Sequence, residues 1–228
     1  MIDHEHDLAL LREATDRLTR AVEALAESAV GEPSRLPGWT RGHVLAHLAR
    51  NADALVNVLS GRPMYASAEA RDADIAAGAA RPLAVQLDDL RAGARLFDKT
   101  AARPADWSRT VTLRNGVTDS ASRVPFRRLI EIELHHVDLG IGYELEALSP
   151  EFTEREIGFL TDRFAGHPGL PALVIADREG RTWRTGRKDG PETRITGPAP
   201  ALLGWLAGRR DGSALESGGA PVPVPPPL

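Results

Sequence analysis

Apolar residues recur at helical spacing through the first two thirds of the chain, then give way to short extended runs. Leu8, Leu11, Leu18, Val22 and Leu25 predict an amphipathic helix over 7–29, ended by Gly31 and Pro33. Thr40, a residue type suited to an N-cap, opens a second predicted helix over 41–60, closed by Gly61 and Pro63. Residues 62–81 read as a loop and a short helix. A third long helix is predicted over 82–100, with Leu83, Leu87, Leu90 and Leu96 as its inner stripe. Pro125 suits the first turn of a fourth, over 125–142. Between these two, Pro104, Trp107, Val111, Leu113 and the Asn115-Gly116 pair predict an extended excursion with a tight turn.

The pattern changes after Ser149 and Pro150. A helix over 152–164 precedes three short runs, LPALVIAD, RTWRTG and ETRITG, which predict three antiparallel strands. Another helix is expected over 198–208, and the tail APVPVPPPL holds too much proline for a helix or a central strand. The expected class is α+β, mainly α. A four-helix bundle would occupy 1–149 and a small C-terminal α+β domain 150–228.

Composition narrows the function classes. The chain of 228 residues is 42% hydrophobic and 26% charged, which is globular rather than disordered. Its 28 basic and 32 acidic side chains leave a net charge of −4, which argues against a nucleic-acid binder. No apolar run approaches the ~20 residues of a membrane-spanning helix. The N-terminus, MIDHEHDLALLREATDRL, has no apolar signal core, so a cytoplasmic protein is expected. The absence of cysteine excludes a disulfide scaffold, a thiolate metal site and a cysteine nucleophile. Sulfur chemistry here would need a thiol from outside.

Four of the seven histidines fall into two groups. His43 and His47 are four apart on the second helix, and Glu131 and His135 are four apart on the fourth, with His136 adjacent. Facing helices of a bundle can bring such groups to one metal ion. Two imidazoles and a carboxylate leave a zinc ion one open position, as catalytic sites require. Spacing alone does not choose between His43 and His47, and such pairs also occur in helices that bind nothing. His4 and His6, near the terminus, and His167, in a Gly/Pro loop, read as structural or incidental.

Three segments carry a resemblance: GWTRGHVLAHLARNADALVNVLSG (38–61), PMYASAEARDADIAAGAARP (63–82) and EIELHHVDLG (131–140). Together they resemble the mycothiol-dependent maleylpyruvate isomerase family, within the DinB-like superfamily of metal-dependent helical bundles. The segment WLAGRRDG (205–212) is similar to the family's C-terminal part. The resemblance implies that His47, Glu131 and His135 are the metal ligands, with His43 and His136 outside the set. It leaves Asp138 placed to orient a ligand imidazole. Zinc and mycothiol are the implied cofactors. The mycothiol sulfur would take the open zinc position as a thiolate and add to the cis double bond of maleylpyruvate. After bond rotation it would leave, giving fumarylpyruvate.

Arg209 matches an arginine that the family needs for activity, so a catalytic and cofactor-contacting role is implied, with its planar fork clamping a carboxylate. Arg210 beside it departs from the family's single arginine, and Ile130 departs from the polar residue expected before Glu131. The implied partners are mycothiol and a small electrophile, with no nucleic acid and no membrane, for a monomer in a gentisate-type aromatic degradation route of an actinobacterium. Two further outcomes stay open: a mycothiol S-transferase, if the adduct is not eliminated, and a non-catalytic DinB-like binding protein.

Overall fold

The computed structural model describes residues 3–103 and 105–227, so Pro104 of the predicted excursion lies outside the described residues. The chain divides into two compact units, Met1–Tyr143 and Glu144–Leu228. The first unit contains α1 (His4–Glu23), α2 (Arg41–Leu59), α3 (Ala68–Ala79), α4 (Leu83–Ala101), the strands β1 (Thr110–Thr112) and β2 (Thr118–Ser120), and α5 (Val124–Asp138). The four long helices form a bundle in which α1 packs on α4 and α5, α2 packs on the same two, and α3 lies against α2. Leu18, Val44, Leu45, Leu48 and Val124 are fully buried in its core.

Two expectations for this unit need correction. The helix predicted over 7–29 is two elements. Asp3 accepts the amide of His6 and starts α1 early, and the chain leaves α1 at Glu23 for a 3-10 turn over Glu27–Gly31. His4 therefore lies in the first helical turn, stacked on Trp107 at 4.3 Å. On α4, Leu83, Leu87 and Leu90 are buried, but Phe97 completes the stripe, while Leu96 is 44% exposed. A residue nine after Leu87 faces the opposite side of a 3.6-residue helix.

Small residues bring the helices close. A Cβ on Gly42 would stand 2.0 Å from the carbonyl oxygen of Ala79, so α2 and α3 meet backbone to backbone there. The hairpin turn between β1 and β2 uses left-handed φ at Asn115 (59°) and Gly116 (72°). Arg41 ties α2 to the end of α5. Its Nε donates to the Leu139 carbonyl at 2.9 Å and its Nη2 to that of Gly140 at 3.3 Å, while the Arg35 amide donates to the Asp138 carbonyl at 2.8 Å. The start of α2 is thereby fixed over the end of α5, where the free carbonyls favour a cation.

The second unit contains α6 (Pro150–Arg163), β3 (Leu173–Asp177), β4 (Thr182–Thr185), β5 (Thr193–Gly197) and α7 (Ala199–Leu206). The sheet order is β4-β3-β5. β3 pairs antiparallel with β4 but parallel with β5, so the expected all-antiparallel sheet is corrected. The cause lies just after β4. The Gly186 amide bonds to Phe164 and the Arg187 amide to Leu170, which draws the chain past the N-terminal end of β3 to its other edge. Gly186, with φ 76°, permits this because a Cβ there would lie 1.9 Å from the carbonyl oxygen of Pro171. β3 is thus central, and all five of its residues are buried. Trp205 on α7 is buried and donates through Nε1 to the Pro223 carbonyl at 2.8 Å, holding the proline-rich tail. The α+β, mainly α architecture is the one observed. No described helix is long and apolar enough to cross a membrane.

Candidate metal centre

Thr40 decides which histidine of α2 faces inward. Its hydroxyl accepts the His43 amide, and His43 Nδ1 accepts the Thr40 amide at 3.2 Å, a reciprocal cap. His43 is thereby turned back to the helix end, beside Trp39. One turn later His47 points into the bundle, towards Glu131 and His135 on α5. His47 Nε2 lies 2.9 Å and His135 Nε2 3.3 Å from the same oxygen, Glu131 Oε2. The two imidazoles are nearly perpendicular, at 84°, with centroids 4.7 Å apart. One donor atom from each of His47, Glu131 and His135 lies within 4.8 Å of the others, and no other such group occurs among the described residues. The side chains of His47 and His135 are 7% and 13% exposed, and that of Glu131 is 32% exposed.

Both imidazoles have contacts behind them. His135 Nδ1 donates to Asp138 Oδ2 at 2.8 Å, and Asp138 is fully buried. That bond directs Nε2 at the cluster, as metal-bound imidazoles require. Behind His47, Arg71 Nη2 lies 3.3 Å from Nδ1, and Trp39 meets the ring edge-on. Deeper along the same two helices, the buried Arg128 donates from Nη1 to Asn51 Oδ1 at 2.7 Å.

The charges suit a cation. Burial opposes ionisation of Glu131, but hydrogen bonds from His135 and His47 outweigh it and hold the carboxyl well below its usual range. Burial likewise lowers His47, against the pull of Glu131, and favours its neutral form. His135 is raised, because its bonds to Asp138 and Glu131 overcome burial. Burial also brings Arg128 down to about 10, with Glu131 the nearest opposing charge. Two oriented imidazole nitrogens and an ionised carboxylate fit a divalent metal such as zinc.

His136 faces away from the cluster, stacked on Tyr143 at 4.1 Å, and burial takes its pKa to about 4. Arg209 belongs to the second unit, where Nη1 donates to the Ala207 carbonyl at 2.6 Å. Arg210 pairs with Glu146 at 2.7 Å. Sequence reasoning missed Arg71 and Arg128. A signal existed for Arg128. It stands three before Glu131, as Asn51 stands four after His47, so a polar pair was due one turn from the ligands.

Known proteins match over nearly the whole chain. The mycothiol maleylpyruvate isomerase N-terminal domain family matches residues 11–140, and the C-terminal domain family of the same isomerase matches 147–226. A crystal structure of the mycothiol-dependent maleylpyruvate isomerase is similar at 27% identity and a TM-score of 0.90, over 99% of this chain and 97% of that one. A histidine-to-alanine variant of that isomerase is similar at 26% identity, with the same TM-score and coverage. No curated protein matches by sequence.

Proposed function

The chain belongs to the mycothiol maleylpyruvate isomerase family, and on that premise we propose that it converts maleylpyruvate to fumarylpyruvate, using zinc and mycothiol. The observation that carries this reading is the cluster of His47, Glu131 and His135 in a chain without cysteine. When bound there, the metal would keep an added thiol ionised near neutral pH without consuming it.

Cis-trans isomerisation by addition needs one atom that both attacks an electron-poor double bond and leaves again. A thiolate does both, and no side chain of this protein can supply one. The residues contribute placement and charge. Asp138 fixes the His135 ring, Arg41 fixes α2 over α5, and the ionised Glu131 offsets part of the cation's charge. Arg209 is proposed to receive a substrate carboxylate through its planar fork.

The test supplies purified protein with maleylpyruvate, with and without mycothiol, and follows products by absorbance and mass spectrometry. Fumarylpyruvate with the thiol fully recovered is expected. A stable thioether would replace the isomerase reading with that of a mycothiol S-transferase. In the same assay Arg209→Ala should lose roughly ten- to a thousand-fold in turnover. Normal turnover would remove Arg209 from the mechanism.

A further inference from the structure

A cleft of about 590 Å³ lies between the α2–α3 connection and the hairpin of β1 and β2. Part of its lining is apolar. Val58, Val111 and Leu113 are buried there, and Met64 is half-buried beside them. The charged part of the lining has one sign. Arg62, Arg109 and Arg114 line the cleft, and no carboxylate does, in a chain whose net charge is −4. Elsewhere in the bundle arginines meet acids, as in Arg12 with Asp98, Arg81 with Asp89 and Arg91 with Glu23.

Contacts within the first unit place two of these cations. Arg109 Nη2 donates to the Leu59 carbonyl at 2.6 Å, so its half-buried side chain reaches from the residue before β1 to the last residue of α2. Arg114, in the hairpin turn, lies near enough to Tyr65 of the opposite wall for its charge to act on the phenol. Arg62 and Arg114 are exposed, and neither forms an ion pair or a side-chain hydrogen bond among the described residues.

A guanidinium cannot shed its charge. Three of them around a concave, partly apolar surface focus positive potential into the cleft, and nothing in its lining offsets their repulsion. An acidic group that accepts from their forks would offset it. A bare inorganic anion would leave the apolar lining wet. A concavity of this size suits a ligand with an apolar body and a few polar anchors.

We propose that this cleft binds a small organic dianion, its acidic groups on Arg62, Arg109 and Arg114 and its apolar body against Val58, Val111 and Leu113. None of His47, Glu131 and His135 lines the cleft, so the site stands apart from the metal centre and from the isomerase reading.

Phenyl phosphate and phthalate, an aryl phosphate and an aryl dicarboxylate, serve as probes, each titrated calorimetrically into the full chain at low salt. At least one should bind at one per chain, and the tighter of the two identifies the acidic group preferred. Benzamide, which is neutral, should not bind, and inorganic phosphate should bind more weakly than phenyl phosphate. Combining Arg62→Gln with Arg114→Gln should weaken the tighter probe about 10-fold or more, and lysine at both positions should recover part of the loss. His47→Ala should bind that probe as the wild type does. Failure of both probes to bind overturns the proposal, as does equal affinity in the double glutamine variant. Benzamide or inorganic phosphate binding as tightly as phenyl phosphate overturns it too. So does loss of binding in His47→Ala, since the probe would then sit at the metal centre. The isomerase reading is decided separately, by the product formed from maleylpyruvate.

Discussion

His43 and His47 differ by one helical turn, and their separate roles follow from where Thr40 ends the loop before α2. At the third position of a helix a side chain can reach back to the cap, and His43 does so. Replacing His47 by Ala should abolish metal retention, measured by elemental analysis after dialysis. His43→Ala should keep the metal and cost about 1 kcal/mol of stability through the lost cap, read as a lower denaturant midpoint. Metal content unchanged in His47→Ala would contradict the assignment. Sequence spacing presented the two histidines as equals, because periodicity reports a face and not the reach of one side chain to the backbone. The residues around the cluster were less legible still. Arg71 reads as an ordinary charged residue of a surface helix, and only the folded chain brings its guanidinium within 3.3 Å of His47 Nδ1.

At the scale of elements, the site depends on the register of α2 against α5, and Arg41 sets it through two carbonyls at the end of α5. Arg41→Ala should destabilise the first unit by roughly 1–3 kcal/mol, the range for hydrogen bonds to a charged group. It should also weaken zinc binding in a chelator competition, because the ligands come from both helices. Arg41→Lys should restore only part of each, since an ammonium lacks the fork that spans two acceptors. Unchanged zinc affinity in Arg41→Ala would show that the register is fixed elsewhere. The long helices themselves were legible, because leucine stripes at a 3.6 period dominate them. Joints were not. The chain leaves α1 after Glu23 and turns again only at Glu27, a break that apolar spacing does not mark, and Leu96 matched the stripe by residue type but not by angle. β5 was legible as a strand, but its edge of the sheet is set by the bonds of Gly186 and Arg187 to residues before β3, which alternation within a strand cannot encode.

On the whole molecule, both family matches and the absence of cysteine bear on one claim. It is the proposal that His47, Glu131 and His135 would hold a metal with one position left for a thiol that the chain cannot supply. The α+β, mainly α class was legible from the change of pattern after Ser149, whereas the proposed ligand set came through the family resemblance rather than from spacing. The direct test replaces zinc with cobalt(II), whose absorption reports its ligands, and titrates the loaded protein with mycothiol. The account predicts a thiolate-to-cobalt charge-transfer band that saturates at one thiol per chain and is absent when His47→Ala protein is treated in the same way. A cobalt-loaded wild type whose spectrum does not respond to mycothiol would contradict it.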